Sequence, residues 1–282
     1  MPGTILFGVD VECADENTAG FIKYAPALFH ELDAPVTWFV TGRTLTQHAR
    51  GFQAFKDDSL IELQSHTYDH LLLKTVLMRV PDGKTIHGSM DWYLKQGSSV
   101  AEIDQDLARC QKCFVDILGQ PATALTGPWG YYRGLGDRLD LLEIVQRHGF
   151  RVLRTFARNE DDGQPVPLEW KPFFYTLQGY PDLLECYIHD YQDDFYWEAF
   201  ADPGPNETYL DYLKTTADKV AAHNLTWSLA SHDHHCATRE GFEQKGVWFR
   251  GLIQYAKSLG IRFMTISQYY DEMCAVKQPY TT

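Results

Sequence analysis

The segment Ile61-Glu62-Leu63-Gln64-Ser65-His66-Thr67-Tyr68-Asp69-His70 runs from a short apolar stretch into a polar turn that carries two histidines four residues apart. Coiled into a helical turn, that spacing sets both imidazoles on one face. Two neutral imidazoles on one face make half of a divalent-metal site. Two surface histidines are the commoner meaning of such a pair. What favours the metal is a second pair far upstream, where the first apolar run ends at Asp10-Val11-Glu12. Residues two apart on a strand point the same way, so one carboxylate can bind a cation while the other stays free.

Between these pairs the chain alternates. Residues 4–10 read as a buried strand. Residues 18–32 read as a helix, with Phe21, Ile22, Ala25, Leu28, Phe29 and Leu32 on one face. The β-branched and aromatic run 36–40 is a second strand, residues 47–56 a short helix, and 60–64 a third strand. This is the pattern of a parallel sheet with crossover helices, and the candidate ligands stand at the C-terminal strand ends, where such barrels do their chemistry. Further on, 99–118 is a helix, 123–126 a strand entering Gly127-Pro128-Trp129-Gly130, 139–148 a helix closed by Gly149, and 150–156 a strand. Residues 208–223 and 246–259 are helices. Residues 225–231 form a strand ending at His232, and 262–265 a last short one.

Two irregular insertions interrupt the alternation. Residues 71–99 directly follow the histidine pair and read as a wall or lid of the site. Residues 159–201 are dense in aromatics and carboxylates, which suits either a sugar-binding wall or an inserted hairpin with its own small core. One domain over residues 1–282 is the simplest account.

The charge balance narrows the partners. With 25 basic and 38 acidic residues the net charge is −13, so no basic surplus exists to neutralise phosphates, which argues against a nucleic-acid partner. Docking on an anionic membrane is disfavoured for the same reason. No apolar run approaches a membrane span. The chain enters its first strand without a visible secretory signal, which makes a cytoplasmic enzyme the expectation. Six scattered cysteines are not a disulfide framework. Cys110 and Cys113 form a CxxC, but they lie on an apolar helical stripe and no second CxxC completes a zinc site, so Cys110 reads as a small core residue.

Several stretches together resemble the polysaccharide deacetylase (NodB-homology) superfamily, carbohydrate esterase family 4. Asp10-Val11-Glu12 resembles its first motif, Glu62 to His70 its second, Gly127-Pro128-Trp129-Gly130 the back half of its third, and Leu229-Ala230-Ser231-His232-Asp233 its fifth. Residues 35–42 and 260–265 are similar to the family's second and closing strands. The resemblance implies an α/β fold, a distorted (β/α)7 barrel of the NodB-homology type with inserted loops. It implies a metal-dependent N-deacylase acting on an N-acylated amino sugar or related carbohydrate. Asp10 is then the general base and His232 the general acid. Glu12, His66 and His70 hold the metal, and the Trp129 N–H helps hold the oxyanion. The metal expected is Zn2+, with Co2+, Ni2+ or Fe2+ also suited to two imidazoles and a carboxylate. The partner expected is a small-molecule or oligosaccharide substrate, and oligomerisation stays open.

Three positions depart from the family pattern. Thr126 stands where the third motif opens with the arginine that restrains the base, so Arg154 or Arg158 on the neighbouring strand is expected to supply the guanidinium. The fourth motif's aspartate is missing from Arg154-Thr155-Phe156-Ala157-Arg158, which leaves Asp233, Asp190 or Glu160 to orient His232. Ala230 replaces a leucine that faces the substrate's methyl group, so more room for a different acyl group is expected. Two other readings stand beside the sugar deacylase: a C–N hydrolase or deformylase on a small amide, and a non-catalytic binding protein on the same barrel.

Overall fold

A computed structural model describes residues 2–79, 92–193, 196 and 206–277. Its strands are β1 (Thr4–Val11), β2 (Val36–Val40), β3 (Ile61–Ser65), β4 (Val76–Arg79), β5 (Trp92–Lys95), β6 (Ala124–Tyr132), β7 (Val152–Arg158), β8 (Phe173–Tyr175), β9 (Tyr180–Tyr187), β10 (Thr226–His232) and β11 (Arg262–Met264). The helices are α1 (Glu16–Glu31), α2 (Gly42–Gln47), α3 (Ala49–Gln53), α4 (Val100–Leu118), α5 (Leu139–Arg147), α6 (Asn206–His223), α7 (Arg239–Ser258) and α8 (Ile266–Val276).

Seven strands run parallel in the order β10, β1, β2, β3, β6, β7, β9. Among the described residues no ladder joins β9 to β10, and His189 bridges the gap between them. The His189 N–H donates to the Ser228 carbonyl at 2.9 Å, and the Ser228 N–H donates to His189 Nδ1 at 3.1 Å. Nδ1 therefore carries a lone pair and Nε2 the hydrogen, which goes to the Trp170 carbonyl at 2.7 Å. Burial pulls the His189 imidazole down to about 4, which keeps it neutral in this role.

Alternation along β1 shows how the layers form. Ile5, Phe7, Val9 and Val11 point outward into the helical layer, where Phe7 meets Phe29 of α1 at 5.7 Å and Phe249 of α7 at 5.1 Å. Each such side chain, fully buried, contributes about 1.5–3 kcal/mol. The even residues point inward. Leu6 packs with Ile266, Tyr269 and Tyr270 of α8, which plug the bottom of the ring. Gly8 lies above it and Asp10 reaches the mouth. Gly8 leaves the space that Arg154 enters: a Cβ there would sit against Arg154 Nη1 and close to the Leu229 carbonyl.

The two insertions are more ordered than their composition suggests. Within 71–99 a β4–β5 antiparallel hairpin forms, while residues 80–91 lie outside the described residues. Within 159–201, β8 and β9 pair antiparallel and β9 also joins β7 in parallel, so it belongs to the main sheet. The segment is thus not a detached hairpin. Of the proposed aromatic wall, Asp194, Phe195 and Trp197 lie outside the described residues.

Candidate active site

His66 and His70 are brought together by an irregular turn, not by the helical one expected. After Ser65 the chain leaves β3, and Thr67 (φ 60°) and His70 (φ 57°) adopt left-handed backbone. A buried carboxylate holds that turn: Asp106 of α4 accepts the N–H groups of Tyr68 at 2.7 Å and Asp69 at 2.8 Å. Desolvation raises the Asp106 carboxyl, and those two N–H groups offset part of the shift. Helix α4 is itself fixed at its start by a capping box between Ser99 and Glu102. The imidazoles of His66 and His70 stand edge to face, their centroids 4.7 Å apart.

Glu12, one residue past β1, reaches both of them. Its Oε2 lies 2.8 Å from His66 Nε2 and 2.9 Å from His70 Nε2. His66 is 1 % exposed, and its Nδ1 donates to the Thr126 carbonyl at 3.1 Å. With the ring protonated, Nε2 also donates to Glu12; once that proton leaves, the Nε2 lone pair faces the same point, the orientation a metal-binding histidine needs. Burial alone would push the Glu12 carboxyl up. Bonds from His234, His66 and His70 overcome this and hold it well below the usual carboxylate range. One carboxylate and two imidazoles, their ligand atoms all within 4.8 Å of one another, fit a tetrahedral cation with a position left open.

Asp10 stands beside this group, with Oδ2 4.0 Å from His66 Nε2. Its Oδ1 accepts from Arg154 Nη2, which crosses the interior from β7. The guanidinium lies over the Phe39 ring at 4.1 Å, and its Nε donates to Thr126 Oγ1 at 3.1 Å. Burial pulls the Arg154 guanidinium down from its ordinary value, against the opposing pull of Asp10. Of the two arginines considered, Arg154 reaches Asp10. Arg158 goes elsewhere: its Nε donates to the carbonyls of Trp129 (3.2 Å) and Gly130 (3.1 Å), and its Nη1 to those of Leu77 (3.2 Å) and Asp162 (2.5 Å). It ties the Trp129 turn to the β4–β5 hairpin. In that turn Trp129 (φ 65°) and Gly130 (φ 60°) are both left-handed, where the β6–β7 register slips. A Cβ on Gly130 would strike Ala157. The Lys95 ammonium sits 4.3 Å from the Trp129 ring centre.

On the other flank, His232 ends β10 level with Asp10. Its Nδ1 is 2.7 Å from Asp193 Oδ1. None of the three carboxylates expected to orient it does so. Asp233 accepts the N–H groups of Glu12 (3.2 Å) and Cys13 (3.3 Å) and the Thr18 hydroxyl, so it ties the first-strand exit to β10. Asp190 accepts from Tyr212 and from Thr216 (2.7 Å), and Glu160 is exposed. Asp193 was missed because it follows an unrecognised strand. Its one sequence signal was its place in the carboxylate-rich run 190–194. His234, two residues past His232, stacks on it at 4.8 Å and places Nε2 3.7 Å from Glu12 Oε1. Ala230 is fully buried against Ala157 and Ile188.

Comparisons with known proteins bear on the fold and the family. A family model for polysaccharide deacetylase matches residues 13–153. No curated protein matches the sequence. Among solved structures, a probable polysaccharide deacetylase from Pseudomonas aeruginosa PAO1 superposes with TM-score 0.65 at 13 % identity, over 98 % of this chain and 92 % of that one. PuuE allantoinase gives 0.64 at 14 %, over 99 % and 93 %. A family 4 carbohydrate esterase from Streptomyces lividans in complex with acetate gives 0.51 at 10 %, over 95 % and 96 %. These likenesses establish the expected α/β fold. With half of its length matched by the family model, the chain belongs to the polysaccharide deacetylase family, hydrolases of the N-deacetylase type.

Proposed function

We propose that residues 1–282 form one catalytic unit, a metal-dependent N-deacylase of acylated amino sugars. The observation that carries this reading is the position of Glu12 Oε2, 2.8 and 2.9 Å from two imidazole nitrogens, with Asp10–Arg154 on one flank and His232–Asp193 on the other. Glu12, His66 and His70 would hold the cation, and their donor set suits Zn2+ first, then Co2+, Ni2+ or Fe2+. When bound, that cation supplies Lewis acidity to the acyl carbonyl and acidifies water. Asp10 takes the water's proton, and Arg154 fixes which carboxylate oxygen is free to do so. The Trp129 N–H, presented by a left-handed turn pinned through Arg158, faces the developing oxyanion. His232 gives its Nε2 proton to the departing nitrogen while Asp193 holds Nδ1.

The extra room expected at Ala230 is instead taken up by packing against Ile188 and Ala157, so a short acyl group is the expected substrate there. Turnover of N-acetylated chito-oligosaccharide that disappears on chelation and returns with Zn2+ or Co2+ tests the reading. A second reading, hydrolysis of a small cyclic amide, is favoured by the likeness to allantoinase over nearly the whole chain. Offering both substrates to one preparation separates the two. Metal-loaded protein that turns over neither would refute both.

A further inference from the structure

A buried lysine lies behind the His232–Asp193 pair, and the reaction outlined above gives it no part. Lys245 projects from the inner face of α7 and is 8 % exposed. Its ammonium donates to the His232 carbonyl and lies 3.4 Å from Asp193 Oδ2. That same Oδ2 accepts the Ser231 hydroxyl at 2.7 Å and the His232 N–H at 3.2 Å, while Oδ1 serves the imidazole. Asp193 therefore joins an imidazole on one oxygen to an ammonium on the other. Its carboxyl, which burial would push up, is held well below the usual range by His232 and Lys245 together.

Lysines are seldom buried without a reason, because taking an ammonium out of water is costly unless it is paired. Here the pairing has a chemical consequence. With Lys245 absent, an imidazolium at 232 and a carboxylate at 193 would balance one another, and the proton on His232 would be strongly retained. With Lys245 present, the carboxylate is already compensated, and the imidazolium gives up its proton more readily. The same ammonium fixes the His232 backbone from the carbonyl side, so the ring is held from both ends.

We infer that Lys245 is a positioning residue for the proton donor, which it orients and strengthens as an acid toward poor leaving groups. This rests on the deacylase reading of the site. A general acid matters when the departing group is a strong base, such as an amine, and hardly at all when it is a nitrophenolate.

The test is the ratio of two rates, hydrolysis of N-acetylated chito-oligosaccharide and of 4-nitrophenyl acetate, in wild type, Lys245→Met and Lys245→Arg. In Lys245→Met the amide rate is expected to fall about 10-fold or more through kcat, the ester rate to change less than about 3-fold, and Lys245→Arg to recover part of the amide rate. Equal loss of both rates, or loss of neither, overturns the inference. Should Lys245→Met not fold, Lys245→Gln replaces it; failure of both to fold would assign Lys245 to the core and overturn it too. Wild type inactive on both substrates would refute the deacylase reading itself, and this inference with it. Wild-type turnover with an unaltered ratio in the variants refutes this inference alone.

Discussion

Arg154 and Asp10 meet across the interior, although β2, β3 and β6 separate their strands round the sheet. Arg154 reaches Asp10 from β7, with Thr126 accepting its Nε, and we propose that it stands in for the guanidinium expected at position 126. The pair is buried, Arg154 at 1 % and Asp10 at 5 % exposure, so removing one member strands the other. Arg154→Ala is expected to destabilise the protein by about 3–5 kcal/mol and to lower kcat about 100-fold. Urea midpoints and single-substrate kinetics measure the two effects. Retention of full rate would dissociate Arg154 from the base.

Gly8→Ala should behave like Arg154→Ala without touching either charge. The added methyl would occupy the place of the Arg154 guanidinium, and the flexible side chain, not the strand, would give way. The expected outcome is a folded, metal-binding protein with kcat reduced about 10-fold or more. Wild-type kinetics in Gly8→Ala would show that the guanidinium is not tightly held.

Glu12→Gln, His66→Ala and His70→Ala should each abolish stoichiometric metal binding, read by elemental analysis after gel filtration. Second-sphere contacts are worth about 10–100-fold in affinity, so a change at Asp106, which holds the turn between the two histidines, should weaken binding without removing it. Asp106→Asn keeping full affinity would show that the turn holds itself.

Acid stability should depend on Asp193. Burial pushes its carboxyl up, but His232 and Lys245 bring it well below the ordinary value. A group whose pKa is lowered on folding stabilises the native state above its unfolded pKa of about 3.9, and that contribution drains away as pH falls beneath it. Asp193→Asn should therefore be less stable than wild type at neutral pH, and the gap should close in acid below about pH 4. Its kcat should fall about 100-fold or more, since one amide oxygen cannot serve both His232 Nδ1 and the donors at Oδ2.

Glu185 should show the opposite slope. It is fully buried, with no cation recorded against it among the described residues. It accepts the N–H groups of Thr155 (2.6 Å) and Phe156 (2.9 Å) and the hydroxyls of Thr155 (2.7 Å) and Tyr175 (2.5 Å). Desolvation raises its carboxyl, and these donors offset only part of the rise. The folded state then binds more protons than the unfolded state, so stability declines as pH climbs past about 4.3. In Glu185→Gln that decline is absent. Its stability relative to wild type should improve between about pH 4 and about pH 7, measured by urea midpoints across that range.

Much of this was legible in the chain because local and global signals agree. The largely apolar β1 and β2, buried at every position, announce strands covered on both faces, and α4 carries its stripe, its capping box and the left-handed Gly119 at its end. The CxxC turned out as core, with Cys110 and Cys113 both buried. What could not be read was pairing decided at long range. Strand β9 begins Tyr180-Pro181-Asp182 with its first residues exposed, so neither period nor composition marks it. Missing β9 hid Asp193, which depends on it for position. Helix α1 begins at Glu16 behind an Asp15 cap, two residues earlier than the apolar stripe suggested, and α8 was not foreseen at all. Nor could the turn after Ser65 be foreseen, since its left-handed residues are a threonine and a histidine, held there by a carboxylate from another helix.

The bridge that His189 makes between β9 and β10 has a consequence for how the molecule would fail. His232 and Asp193 stand on opposite lips of that one gap, whereas Glu12, His66 and His70 leave β1 and β3, which are joined through an unbroken ladder. If the lips part on warming, the proton donor is disarmed first and the ligand cluster last. On the proposed function, metal-loaded protein damaged by heat would then keep the ion after it has lost its turnover.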